Sequence, residues 1–138
     1  MSRKENIMKK TCFGLGIILG ILCLIITGCY IEYDPNNITP GEAWGDGTFS
    51  DKVEGTGLGY ESVIKVVLDI ELGNIIAIEV THKDSPGIGG AFINKVKPLI
   101  VKANSFNVID GMTGATYTRD GLKEAGKAAL NQIPGVKL

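Results

Sequence analysis

Residues 64–81 read I-K-V-V-L-D-I-E-L-G-N-I-I-A-I-E-V-T, and this stretch decides the fold. Ile64, Val66, Leu68, Ile70 and Leu72 alternate with Lys65, Asp69 and Glu71. A period of two buries one face of a strand. Gly73-Asn74 reads as the two-residue turn of a tight hairpin. Ile76, Ile78 and Val80 then alternate with Ala77, Glu79 and Thr81 on the return strand. Working outward, Thr48 to Val53 forms a further strand, and Gly55–Gly59 reads as the connection between them.

Beyond the hairpin the period changes. Phe92, Val96, Leu99, Ile100 and Ala103 fall on one helical face, with Pro98 expected to interrupt or restart the helix. Leu122, Ala125, Ala129 and Ile133 mark a second helix reaching about Gln132. A meander followed by helices is an α+β plan: a small antiparallel sheet packed with two C-terminal helices.

The chain has 138 residues, enough for one small domain and a targeting segment. Residues 1–28 resemble an export signal. Arg3, Lys4, Lys9 and Lys10 precede an apolar run from Thr11 to Ile26, which is short for a membrane span of about 20 residues. The run ends in Ile26-Thr27-Gly28-Cys29, which resembles a lipobox, so Cys29 is the expected lipidated N-terminus. An uncleaved signal anchor is the alternative. Cys12 and Cys23 lie within the run, leaving Cys29 as the single cysteine after processing and excluding an internal disulfide. Two acyl chains on Cys29 would anchor the protein stably at the outer face of the membrane. Residues 29–46, with Asp34-Pro35-Asn36-Asn37 and Pro40-Gly41, read as a flexible tether, and the domain spans 47–138.

Processing shifts the charge. Residues 1–28 hold four of the 14 basic and one of the 15 acidic side chains, so the remainder carries ten against fourteen, a net of −4. A mildly acidic domain without a basic cluster is not expected to bind nucleic acid. Two glycine clusters lack the context of a phosphate loop: Gly55-Thr56-Gly57-Leu58-Gly59 has no flanking strand and helix of the required kind, and Gly87-Ile88-Gly89-Gly90 has no Gly-Lys-Ser/Thr after it. His82 is the single histidine and reads as a polar strand-end residue, so no metal site is expected.

The segment Asp110-Gly111-Met112-Thr113-Gly114-Ala115-Thr116-Tyr117-Thr118-Arg119 carries three threonines just before the second helix. Capping by Thr116 or Thr118 explains one of them. As a unit, Asp-Gly-x-Thr-Gly-Ala-Thr resembles the flavinylation motif of the FMN-binding domain family. That family includes flavin subunits of sodium-pumping and related bacterial redox complexes, and small surface lipoproteins. Asp84-Ser85-Pro86-Gly87-Ile88-Gly89 resembles its second landmark, with Ser85 where the family more often has threonine.

The resemblance implies FMN attached to Thr116 through a phosphoester by a separate flavin transferase. It implies shaping and recognition roles for Asp110, Gly111, Thr113, Gly114 and Ala115. It also implies a phosphate near Thr118 at the helix N-terminus, and close approach of backbone at Pro86, Gly87 and Gly89 to the flavin. The expected function is an extracytoplasmic, lipid-anchored electron carrier. Its donor would be a membrane quinone or flavin dehydrogenase, and it would not be a substrate-specific enzyme. The competing readings are a sensory or binding lipoprotein without flavin, and a reductase of one small molecule.

Overall fold

The computed structural model describes residues 37–138. They form a three-stranded antiparallel meander packed against two helices, the α+β architecture that the periodicities imply. Strand β1 is Asp51–Leu58, β2 is Val63–Glu71 and β3 is Asn74–Thr81. A π-type turn, Pro86–Gly90, leads into α1 (Ala91–Ala103); a 3₁₀ turn, Phe106–Ile109, precedes α2 (Thr116–Leu130). The signal segment and Cys29 lie outside the described residues.

The alternation in β2 holds from Ile64 to Ile70: Ile64, Val66, Leu68 and Ile70 are buried, whereas Leu72, read on the same face, lies beyond the end of the strand and is exposed. The flanking strands depart from their sequence readings. β1 is not a strand ending at Val53 with a glycine-rich connection after it. It runs to Leu58, paired with β2 along its whole length, and buries Val53, Gly55 and Gly57 on one face. Composition hid this because glycine carries no hydrophobic signal. Its use here is steric: a Cβ at Gly55 or Gly57 would lie closer than 3.0 Å to backbone atoms of α2.

In β3, Asp69 pairs with Ala77 but Ile70 pairs with Ile75, so Ile76 is an extra residue in the ladder. The bulge resets the phase. Ile75 and Ile78 face the core, whereas Ile76, expected inside, is 49% exposed. The hairpin turn also shifts by one residue: Leu72 and Gly73 occupy the loop, both at positive φ (49° and 72°). Positive φ at both loop positions suits the strand twist and favours Asn-Gly or Gly-Gly there. Leu72 is 60% exposed, so its side chain offsets little of this strain. Leu72→Asn is therefore expected to stabilise the domain by about 1 kcal/mol, read as a higher urea midpoint at unchanged slope. An unchanged or lower midpoint would contradict the strained turn.

Helix α1 runs unbroken through Pro98, against expectation. Asn94 and Pro98 are both exposed, so the carbonyl deprived of its donor faces water rather than a dry core. Phe92, Ile93, Val96 and Ile100 are buried. The helix ends at Asn104, which sits left-handed (φ 49°), is buried, and is an undetected staple of the fold. Its Oδ1 accepts from the Ile75 amide at 2.8 Å, its Nδ2 donates to the Glu42 carbonyl at 2.8 Å, and its own carbonyl accepts from Trp44 Nε1 at 3.0 Å.

That staple corrects the extent of the tether. Gly41 donates to the Ala103 carbonyl and Trp44 to the Gly73 carbonyl, each at 2.7 Å, while the Trp44 ring packs on the core. Residues 41–44 are thus fastened to the end of α1 and to the β2–β3 loop, because an indole offered apolar area and a donor that the composition around it concealed. Helix α2 begins at Thr116 with Ala115 as its cap residue, so neither Thr116 nor Thr118 caps it, and it ends at Leu130, short of Gln132; Ile133 is buried in the turn beyond it.

Candidate functional site

Three segments meet at one end of the sheet: the β1–β2 turn, the π-type turn and the first turn of α2. They enclose a cleft of about 380 Å³. On its floor lies Asp84, 3% exposed and just beyond β3. Its carboxylate accepts four hydrogen bonds. Oδ2 takes the Thr118 hydroxyl at 2.7 Å and the Tyr60 amide at 3.2 Å; Oδ1 takes the Glu61 amide at 3.2 Å and the Ser62 hydroxyl at 3.3 Å. Burial pushes the carboxyl up, but the Thr118 hydroxyl, the two amides and the Ser62 hydroxyl outweigh it, and Asp84 is held below the usual carboxylate range. One buried anion therefore ties the β1–β2 turn to the start of α2.

Gly89 packs directly on this pair. A Cβ there would lie 2.7 Å from the Asp84 Cβ and 3.1 Å from the Thr118 hydroxyl oxygen. The glycine is required by the floor of the cleft.

The loop preceding α2 is strapped at two points. Lys123 pairs with Asp110, and Arg119 donates from Nη1 to the Met112 carbonyl at 3.1 Å while pairing with Asp120. Gly114 follows at φ +114°, a conformation closed to most L-residues, with open space where a Cβ would be. This turn delivers the chain to Ala115, whose carbonyl accepts the first helical bond, from the Arg119 amide at 2.8 Å. Ala115 supplies no capping side chain. The amides of Thr116, Tyr117 and Thr118 therefore have no partner within the helix, and they form an electropositive edge at the cleft. Thr116 is exposed at the first helical position, with its neighbours Gly114 and Ala115 also lining the cleft.

The residues expected to form the site are distributed unevenly. Gly89, Gly114, Ala115, Thr116 and Thr118 line the cleft. Asp110, Gly111 and Thr113 are exposed on the loop that approaches it, and Asp110 is engaged by Lys123. Pro86 and Gly87 are on the exposed side of the π-type turn, and Gly87 meets nothing within 4 Å. Thr118 does not face a ligand with a free hydroxyl, since Asp84 holds it.

Sequence reasoning passed over Tyr60, Ile88 and Tyr117, which supply the apolar walls of the cleft, and over the straps Arg119 and Lys123. Tyr117 carried one available signal, its place between Thr116 and Thr118. Tyr60 carried none, because only the tertiary fold brings it near the loop. Among the described residues no group of histidine, cysteine and carboxylate side chains has a metal-holding arrangement. Residues 59–131 match the sequence model of a family described as FMN-binding domain. The matched span begins in the turn bearing Tyr60 and covers every cleft residue named above.

Proposed function

The chain belongs to the FMN-binding domain family, and from that premise we propose that it carries FMN covalently on Thr116 and works as an electron carrier. The observation that carries this reading is the exposed Thr116 hydroxyl at an uncapped helix N-terminus, opening on the cleft. The residues fit the group. Free first-turn amides suit the phosphate, and Tyr60, Ile88 and Tyr117 offer apolar surface to the ring system. Bound there, FMN would supply reversible electron uptake and release.

The protein's own residues favour attachment by a separate transferase. Activating Thr116 requires a base for its proton. Asp84, a carboxylate lining the cleft, is already saturated by four donors and held below the usual carboxylate range, which makes it a poor base. Arg119 and Lys123 are occupied in strapping the loop. Thr116 is exposed beside the exposed Gly114 and the small, buried Ala115, which leaves it accessible to an enzyme bringing its own base and metal.

The reading extends to the cell surface. Lipid on Cys29 would hold the domain at the extracytoplasmic face, where a quinone or flavin dehydrogenase in the membrane would be the donor and a further carrier or external compound the acceptor. It rests on the order of basic start, apolar run and Ile26-Thr27-Gly28-Cys29. Among the described residues no helix is long and apolar enough to cross a membrane.

The test is the intact mass of protein produced with and without a flavin transferase. The expected gain is one FMN less one water, with fluorescence that survives a denaturing gel. Thr116→Ala should abolish both completely, while Thr113→Ala retains them; a fully labelled Thr116→Ala protein would refute the assignment. In the same host Cys29→Ala should accumulate unprocessed and unlipidated. Processing to the wild-type size with membrane retention would refute the anchor.

A further inference from the structure

We propose that Tyr60 and Tyr117 form an aromatic clamp that holds the flavin ring by stacking, an inference that rests on the FMN reading above. Among the described residues, Leu58, Tyr60, Val63, Ile88 and Tyr117 are large apolar side chains left 58–70% exposed. They gather at one end of the fold. Leu58 and Val63 are paired across β1 and β2, Tyr60 lies in the turn joining those strands, and Ile88 and Tyr117 line the same cleft as Tyr60. Apolar surface concentrated around a cleft marks a binding region rather than the scatter normal for a surface.

The polar groups of the cleft indicate how a ligand is held. The Asp84 carboxylate and the Thr118 hydroxyl are committed to each other, and Asp84 also takes two amides and a second hydroxyl. The floor is internally satisfied and has little left for the polar edge of a ring. Recognition therefore falls to the walls.

There the Tyr60 and Tyr117 rings stand 5.7 Å apart at 43°, each 67% exposed. That spacing lies within the range of aromatic pairing, yet most of each ring still meets water. A flat ring tethered at Thr116, the neighbour of Tyr117, would cover those faces. The pairing of the rings is set from below. The Tyr60 amide and the hydroxyl of Thr118, next to Tyr117, both bond to Asp84 Oδ2. Asp84 is thus a positioning residue for the clamp.

The experiment compares flavin emission of the loaded protein in the native state with emission after unfolding in guanidinium. A tyrosine stacked on a flavin quenches it, so wild type is expected to brighten several-fold on unfolding. Removing one ring should shift the open-to-stacked equilibrium about ten-fold, or about 1.4 kcal/mol. Tyr60→Ala and Tyr117→Ala should therefore each raise native emission, and the double variant should match its own unfolded emission. Tyr117→Trp should restore quenching, whereas a merely structural role would not be rescued this way. Attachment, read by mass, should be unchanged in all of them.

Loaded variants whose native emission equals that of wild type would overturn the clamp while leaving attachment at Thr116 intact. If mass shows no attachment at all, the FMN reading fails separately, and the clamp is decided by titrating free FMN into the unloaded protein. Quenching that depends on Tyr60 and Tyr117 would then support it, and its absence would overturn it. Ala variants that change only self-association, without altering emission, would assign the apolar rim to a second copy of the chain and overturn the clamp.

Discussion

Gly121→Ala is expected to destabilise the domain by about 2–3 kcal/mol, even though alanine is the better helix former by about 1 kcal/mol. The conflict is between local propensity and tertiary packing. Gly121 is buried in α2. A Cβ there would come closer than 3.0 Å to the carbonyl carbon and oxygen of Leu58 and to the Gly59 nitrogen. All three are backbone atoms, which cannot swing aside as a flexible side chain does. Gly55 and Gly57 meet the same helix from the strand side, so the seam is glycine against backbone on both elements. Relief requires α2 to move away from β1, and cores of native density resist such shifts.

For a domain of this size the loss corresponds to a fall in Tm of about 10–20 °C. Gly111→Ala is the control. It has open space at the Cβ position and no positive φ, and it should change stability by less than about 0.5 kcal/mol. Thermal and urea unfolding of both variants decide the matter. A Gly121→Ala protein as stable as wild type would mean that α2 does not sit this close to β1.

Asp84→Ala should cost about 2–4 kcal/mol, because it strands the Thr118 and Ser62 hydroxyls and the Tyr60 and Glu61 amides together. Asp84→Asn keeps one acceptor oxygen but sets an amide N–H₂ against two donors, so it should recover only part of the loss. The pH dependence carries the sign of a depressed carboxyl. Above about pH 5 both folded and unfolded states are ionised, and the stabilisation is fully present. As pH falls below about 4 the unfolded chain binds the proton first, and the stabilisation is lost progressively until pH passes the lower folded pKa. Urea unfolding across pH 3–7 should therefore show wild type losing more stability on acidification than Asp84→Asn. Parallel curves would show that the four donors do not hold Asp84 as an anion.

These two sites also mark the limits of the sequence. β2 was readable because Ile64, Val66, Leu68 and Ile70 are apolar at every second position while Lys65, Asp69 and Glu71 lie on the other face, and the helices because Phe92, Val96 and Ile100, or Leu122, Ala125 and Ala129, recur at helical spacing. The loop Asp110–Thr116 was readable because its residue types form a motif. In each case the information is local. β1 was truncated because Gly55 and Gly57 are buried for their lack of a side chain, which no polarity pattern reports. The phase of β3 was misread at Ile76 because a bulge is set by pairing with β2 rather than by composition.

The same division runs through the site. By itself the sequence determined which residues alternate, which recur at helical spacing, and that Thr116 stands in a flavinylation-like loop. Only the tertiary structure decided that Asp84 is consumed by Thr118 and the β1–β2 turn, that Gly89 is a packing requirement, and that Tyr60 faces Tyr117. Those relations join segments far apart in the chain, through hydrogen bonds and contacts that exist only after β1, the π-type turn and α2 have closed on one another. Periodicity is written along a segment, whereas complementarity between segments depends on distance and angle, and these are fixed when the core packs.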